Sequence, residues 1–259
     1  MATPIKEIVK QKYTEIAQAA CGCGPCCSSD EISNFSENYK QLDGYVPEAD
    51  LQLGCGIPTD IAQIKPGDTV LDLGSGAGND VFVARQLTGA TGKVIGVDMT
   101  IAMIEKARAN QAKLGFHNVE FHLGEIEQLP LETNSIDVAI SNCVMNLVPD
   151  KAKAYQEVHR VLRPGGHFSI SDIVLQGELP QQMLDLAILY TGCVAGAMQK
   201  EAYLQTIKAA GFETVEVPKE REIQLPDAFL GEHLGAEAIE AFRASGCKIL
   251  SVTVKAQKT

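Results

Sequence analysis

The sequence Val70-Leu71-Asp72-Leu73-Gly74-Ser75-Gly76-Ala77-Gly78-Asn79-Asp80 combines a run of β-forming residues with three glycines at alternate positions. An apolar run at helical spacing follows, with Val81, Phe82 and Ala84. A strand, a glycine turn and a helix in this order place a nucleotide-like ligand at a helix N-terminus, where unpaired backbone N–H groups point outward. The G-x-G-x-G spacing differs from the dinucleotide-binding pattern, which needs a glycine where Asn79 stands. The stretch predicts a ligand-binding turn, with an ordinary β–α turn as the simpler alternative.

Strands and helices alternate around this turn, which predicts an α/β fold with a mostly parallel sheet and helices on both faces. The predicted strands of the core are 69–73, 94–97, 119–123, 136–141 and 168–173, and the predicted helices include 103–114 and 152–162. The segment Pro164-Gly165-Gly166 is expected to form the exit from the second of these helices. Helices at 181–189 and 200–210 and strands at 214–217 and 249–254 follow, giving seven strands in all. Ligands are expected at the carboxyl ends of the parallel strands.

The chain is expected to divide into three parts. Residues 1–60 would form an extension, with an amphipathic helix over about 4–20 followed by a cysteine-rich loop. Residues 61–175 would form the ligand-binding core, and residues 176–259 a smaller C-terminal part with the closing strands.

Composition limits the possible functions. The 259 residues carry a net charge of −11, with 45% hydrophobic and 21% charged residues, which is the ordinary globular range. The acidic balance argues against nucleic acid and anionic membrane surfaces as partners. No apolar run approaches the ~20 residues that span a bilayer, and the N-terminus lacks a signal-peptide pattern. A cytoplasmic, soluble protein is therefore expected.

Eight cysteines give a second indication of function. They stand at positions 21, 23, 26, 27, 55, 143, 193 and 247. In a reducing cytosol, clustered cysteines indicate metal, metalloid or redox chemistry more often than a disulfide framework. Any one of them taken alone is more simply a small buried apolar residue.

The string VLDLGSGAG resembles motif I of class I S-adenosylmethionine-dependent methyltransferases, whose fold is Rossmann-like. In that family Asp98, at the end of the second strand, would bind the ribose hydroxyls of the donor, although an Asp here could instead cap the next helix. The segment around Glu125 and Ile126 resembles the one that frames the adenine, although Glu125 could also be a solvated loop residue. The expected donor-binding residues are Asp72, Gly74, Ser75, Gly76, Asp98, Met99, Glu125, Ile126 and Asn142.

Three cysteine segments, LGCGIPT, SNCVMNLVPDK and GCVAGA, together resemble arsenite S-adenosylmethionine methyltransferases. The resemblance implies that Cys143 and Cys193 bind As(III), that Cys55 is a third ligand, and that these cysteines carry the catalysis. A fourth ligand is expected among Cys21, Cys23, Cys26 and Cys27, with Cys26 and Cys27 preferred. The role of Cys247 stays open between packing and an added ligand.

Thiolates suit As(III), which is soft and keeps a lone pair that projects from three sulfur ligands. That lone pair can attack the methyl carbon of the donor without a general base. The resemblance implies arsenite or methylarsenite as substrate, S-adenosylmethionine as cofactor, and a thiol reductant such as thioredoxin or glutathione. Two alternatives remain: a carbon or oxygen methyltransferase acting on a quinone-like molecule, and a non-enzymatic thiol protein that holds Zn²⁺ through C-G-C-G-P-C-C.

Overall fold

The structure, a computed structural model, describes residues 5–18, 37–180 and 196–259 apart from 226, 228, 229, 232 and 233. The predicted helix at 181–189 lies outside these residues. No helix within the described ranges is long and apolar enough to cross a membrane.

A seven-stranded sheet in the order β3-β2-β1-β4-β5-β7-β6 forms the centre of the molecule. The first five strands in this order pair in parallel, and β7 runs antiparallel to both β5 and β6. The strands are β1 (Thr69–Leu73), β2 (Lys93–Asp98), β3 (Val119–Leu123), β4 (Ile136–Asn142), β5 (Leu162–Gln176), β6 (Glu213–Glu222) and β7 (Lys248–Gln257). The predicted α/β fold with a mostly parallel sheet is confirmed.

Helices cover both faces of the sheet because alternate strand residues are apolar on both sides. Val70 packs with Val81 and Phe82 on one face, while Leu71 packs with Tyr155 and Val158 on the other. The helices are α1 (Ile5–Gln18), α2 (Pro58–Ile61), α3 (Asn79–Thr88), α4 (Ile101–Leu114), α5 (Lys151–Val161), α6 (Lys200–Ala209) and α7 (Ala236–Ser245).

Strand β5 is longer than predicted. It begins at Leu162, directly after α5, and includes Pro164-Gly165-Gly166, which was predicted to be a helix exit. The register shifts between β4 and β5 at this point, so the Pro-Gly-Gly segment is accommodated as an irregularity in the ladder. At its other end, β5 is extended by antiparallel pairing with β7 as far as Gln176. Core and C-terminal strands therefore share one sheet, and the division at residue 175 stays a prediction.

Helix α1 lies against α4 near the carboxyl ends of β1 and β2. Ile16 and Ala17 pack with Ala77, Leu51 and Met103 in one apolar cluster. The N-terminal helix thereby covers part of the edge of the sheet where a ligand is expected.

Candidate active site

The glycine turn after β1 brings two loops into contact. Gly74 has a φ of +71°, and a Cβ at this position would lie 2.5 Å from the side chain of Val144. Only glycine combines that backbone conformation with so close an approach. The turn that follows β1 therefore packs directly on the residue after Cys143.

Asp98 fixes the same turn from β2. Its carboxylate accepts hydrogen bonds from the backbone N–H groups of Gly76, at 3.0 Å, and Thr100, at 2.8 Å. The first contact supports the glycine turn, and the second lies at the start of α4. Asp98 thus orders the loops on both sides of the cavity described next.

A cavity opens at the carboxyl ends of β1, β2 and β4. It encloses about 1170 Å³ of space, including its open mouth, and all nine predicted donor-binding residues line it. These are Asp72, Gly74, Ser75, Gly76, Asp98, Met99, Glu125, Ile126 and Asn142. Cys143 lines it as well.

Three carboxyl groups, those of Asp72, Asp80 and Asp98, line the cavity. Burial, with Asp80 and Asp98 close by, raises the pKa of Asp72 well above its usual range. Burial raises the pKa of Asp80 to about 6, although hydrogen bonds from Tyr39 and Asn142 oppose the shift. Burial also raises the pKa of Asp98 against its two backbone hydrogen bonds. A bound cation would lower all three pKa values by favouring the charged carboxylates.

The cavity also contains polar atoms that have no partner within the protein. Among the described residues, Ser75 Oγ and Asn79 Oδ1 are buried and make no hydrogen bond. Unpaired buried polar atoms cost about 1–3 kcal/mol each, so they are expected to meet a ligand. Together with the glycine turn and the carboxylates, they fit S-adenosylmethionine, which carries a sulfonium, an ammonium and a polar ribose.

Glu125 has a partner that the sequence did not indicate. Lys6 Nζ of α1 lies 2.8 Å from Glu125 Oε2 and 3.0 Å from Glu127 Oε2. The bond to Lys6 lowers the pKa of Glu125. Ile126 is buried, as expected for a residue that packs on a ring. The end of the cavity that Glu125 and Ile126 line is thus closed partly by α1.

Cys55 and Cys143 meet at the end of β4. The structure joins their sulfurs as a disulfide, with a Cα–Cα distance of 5.8 Å and a sequence separation of 88 residues. Both residues are buried. Two of the three cysteines named by the resemblance therefore lie close enough for their sulfurs to share one soft atom when reduced.

Asn142 holds the Cys55 segment against β4. Its Oδ1 accepts hydrogen bonds from the backbone N–H groups of Cys55, at 2.9 Å, and Gly56, at 3.3 Å, while its Nδ2 donates to the Gly56 carbonyl at 2.7 Å. A Cβ on Gly54 would collide with this side chain, and a Cβ on Gly56 would lie 2.6 Å from Ser171 Oγ. The glycines on either side of Cys55 permit this close packing.

The structure does not describe the other cysteines predicted to bind As(III). Cys193, Cys26 and Cys27, with Cys21 and Cys23, lie outside the described residues. Cys247 is buried and unbonded, and its Sγ lies 3.4 Å from the Gly177 carbonyl oxygen. Within the described part of the chain, no cluster of three or more His, Cys, Asp or Glu residues could hold a metal ion.

Tyr39 and Asp80 are site residues that sequence reasoning missed. The Tyr39 hydroxyl lies 2.8 Å from Asp80 Oδ1 and accepts a hydrogen bond from Asn142 Nδ2 at 2.8 Å. Tyr39 stands in a polar segment without periodicity, so nothing local marks it. Asp80 ends the glycine stretch, where an acidic residue in the first turn of a helix has an ordinary structural explanation.

Comparison with known proteins agrees with this geometry. A family model described as a methyltransferase domain matches residues 64–211. With the sheet order and the glycine turn, this match places the chain among the class I S-adenosylmethionine-dependent methyltransferases.

Individual relatives define the family more narrowly. Arsenite methyltransferase of Halobacterium salinarum is 43% identical over 257 residues, covering 91% of this chain and 66% of the relative. Arsenite methyltransferase of Aquipseudomonas alcaligenes is 38% identical over 239 residues, covering 88% of this chain and 68% of the relative. An arsenic(III) S-adenosylmethionine methyltransferase from Chlamydomonas reinhardtii has a crystal structure similar to this one, with a TM-score of 0.64 and 30% identity, covering 98% of this chain and 74% of that one. The chain spans about two thirds of the length of the two sequence relatives. It belongs to the arsenite methyltransferase family.

Proposed function

We propose that this protein transfers the methyl group of S-adenosylmethionine to trivalent arsenic held by cysteine thiolates. The observation that carries the proposal is the meeting of Cys55 and Cys143 beside a cavity that suits the donor. Cys143 belongs to both features, because it bonds to Cys55 and also lines the cavity.

The donor half would work by position and charge. S-adenosylmethionine supplies a methyl group on a positively charged sulfur. Asp98 would accept hydrogen bonds from its ribose, and Ile126 and Met99 would pack against its adenine. Asp72 and Asp80 would face its positive groups, which offsets the cost of burying these carboxylates.

The acceptor half would hold As(III) through Cys55 and Cys143, with Cys193 as the third ligand and Cys26 or Cys27 as a fourth. The arsenic lone pair forms a bond with the methyl carbon as the bond from that carbon to the donor sulfur breaks. Bound thiolates need no separate base, since coordination displaces their protons. Holding both reactants in attack geometry can supply about 7–11 kcal/mol of the barrier.

Methylation raises arsenic formally from As(III) to As(V), so two electrons are needed before a second cycle. A pair of thiolates can supply them and become a disulfide, and Cys55 and Cys143 are placed to do so. A thiol reductant, thioredoxin or glutathione, would then regenerate both thiols. We place this cycle in the cytoplasm, where such reductants are maintained.

The proposal is tested by assaying arsenite methylation with radiolabelled donor in Cys143→Ser and Cys55→Ser. We expect each variant to lose at least 100-fold in rate and to keep its calorimetric affinity for S-adenosylhomocysteine within twofold. The matched control is Cys247→Ser, whose sulfur lies against the Gly177 carbonyl; we expect it to retain activity. Wild-type rates in both site variants would overturn the proposal. If wild-type protein binds no arsenite, a carbon or oxygen methyltransferase becomes the better assignment.

A further inference from the structure

The backbone at Cys143 is in an unusual conformation. Its φ is +59°, in the left-handed region that residues with a Cβ rarely adopt. Such strain persists only where the surrounding structure enforces it. Its N–H donates to the Ser171 carbonyl at 2.8 Å, and the chain then makes a short turn of 3₁₀ helix over Met145–Leu147. What holds this turn therefore helps to hold Cys143.

Asp172 lies beneath the turn, next to Ser171 in β5, and is fully buried. Its carboxylate accepts a hydrogen bond from the backbone N–H of Ile173, at 3.0 Å, and the nearby backbone N–H of Asn146 acts to lower its pKa. Tyr203 donates to its second oxygen at 3.3 Å. In addition, Asn146 Nδ2 donates to the Ile173 carbonyl at 2.7 Å. The turn is thus joined to β5 through both its main chain and its side chain.

Lys151 holds the carbonyl side of the same turn. Its ammonium donates to the carbonyls of Asn146, at 3.2 Å, and Val148, at 3.1 Å. The negative charge of Asp172 acts to raise the pKa of Lys151, although burial lowers it overall. A short helical turn leaves N–H groups unpaired at one end and carbonyls at the other. Here a buried anion meets the first and a cation meets the second.

A buried carboxylate with a partly buried lysine on the other side of the turn contributes little to stability by itself. Apolar residues of similar volume commonly stabilise a fold as well or better, so charges that are retained can act by selecting one arrangement. Burial raises the pKa of Asp172 to about 7, which shows that its ionised form is held at a cost. In this protein, the arrangement that Asp172 would select is one position of the loop that carries Cys143.

We propose that Asp172 and Lys151 are positioning residues for Cys143, fixing the turn at 145–148 so that the Cys143 sulfur faces Cys55. This inference rests on the proposed function, because it concerns the thiol pair assigned there to As(III). It predicts that loss of either charge lowers the effective concentration of one thiol at the other.

The test is the equilibrium between the Cys55–Cys143 disulfide and dithiothreitol, in which dithiothreitol is oxidised as the two protein thiols form. Differential alkylation and peptide mass spectrometry report this pair alone, and measurement at pH 8 keeps Asp172 mostly ionised. For Asp172→Asn we expect the disulfide to be about tenfold less favoured than in the wild type, which is about 30 mV for a two-electron couple. Lys151→Met should shift the disulfide equilibrium in the same direction. This second variant keeps the inference testable if Asp172→Asn fails to fold.

Thr88→Val is the matched control, because it also removes a buried hydrogen bond, from Thr88 to the Asp68 carbonyl, at the opposite edge of the sheet. We expect no change in its disulfide equilibrium, and S-adenosylhomocysteine affinity within twofold of wild type in all three variants. The inference is overturned if the folded Asp172 and Lys151 variants match the wild type, or if Thr88→Val shifts equally. Failure of the wild type to bind arsenite would instead overturn the proposed function, since this measurement involves no arsenic.

Discussion

The two halves of the candidate active site are assembled in different ways. The donor half consists of the residues expected to bind S-adenosylmethionine. Apart from Asn142 at the end of β4, they come in chain order from the ends of β1, β2 and β3, from Asp72 to Ile126. In the acceptor half, Cys55 meets Cys143 across 88 residues, and Asp172 and Tyr203 support the second cysteine from further along the chain.

Because of this difference, the two halves depend on different kinds of contact. The donor half is formed mostly within successive strand–turn–helix units, so its geometry follows from local backbone conformation and β-sheet pairing. The acceptor half depends on side chains that tie distant segments together, such as Asn142 on the Cys55 loop. Substitutions should therefore affect the halves separately.

Among the variants, Asp98→Ala is expected to show the largest difference between its effect on donor binding and its effect on arsenical binding. The variant would lose the proposed charge-assisted bonds to the ribose, worth about 1.5–3 kcal/mol each, as well as the contacts that order Gly76 and Thr100. We expect calorimetry to show S-adenosylhomocysteine binding weakened about 100-fold. Binding of phenylarsine oxide, a trivalent arsenical that requires paired thiols, should stay within twofold of wild type.

Asp137→Ala is the control for this variant. Asp137 also accepts a backbone hydrogen bond, from Thr69 at 2.8 Å, but at the start of β1, away from the cavity. It should leave both affinities within twofold of wild type. Equal losses of donor and arsenical binding in Asp98→Ala would show that the two halves are not separate.

Local patterns explain why the sheet, and the nine residues that line the cavity, were predictable from the sequence. Residues such as Asp98 follow a strand and a glycine turn at regular spacing, and parallel pairing brings strand ends together. Asp172 lies within strand β5 and gives no comparable local indication of its partners. The pairing of Cys55 with Cys143 came from family resemblance, because no spacing rule joins residues so far apart. The full length of β5 was also missed, since it depends on pairing with β7.

Asn142→Ala is expected to show a smaller difference in the opposite direction, with arsenical binding weakened more than donor binding. Without this carboxamide, the N–H groups of Cys55 and Gly56 lose a buried acceptor, and the Cys55 loop is no longer tied to β4. We expect phenylarsine oxide affinity to fall about tenfold, which corresponds to roughly 1.4 kcal/mol. Donor affinity should fall less, because Asn142 is only one of many residues around that cavity.

Asn118→Ala provides the comparison for Asn142. Asn118 likewise ties two backbone groups through its carboxamide, but it does so by donating from Nδ2 to the carbonyls of Gly89 and Gly92, at the opposite edge of the sheet. The two variants should lose similar thermal stability, while only Asn142→Ala weakens arsenical binding. If donor affinity falls more than arsenical affinity in Asn142→Ala, then Asn142 belongs functionally to the donor half.

The smallest effect is expected at a surface contact between segments that are far apart in sequence, the pairing of Lys6 with Glu125 and Glu127. The Lys6 side chain is 30% exposed and that of Glu125 is 46% exposed. Partly exposed pairs contribute about 0–1 kcal/mol and are screened by salt. Lys6→Met should therefore weaken S-adenosylhomocysteine binding no more than about threefold and reduce the salt dependence of the affinity. Lys113→Met, an exposed lysine in the last turn of α4, should change neither. A tenfold loss in Lys6→Met would show that the donor half also depends on a long-range tie, through α1, and that the contrast with the acceptor half is one of degree.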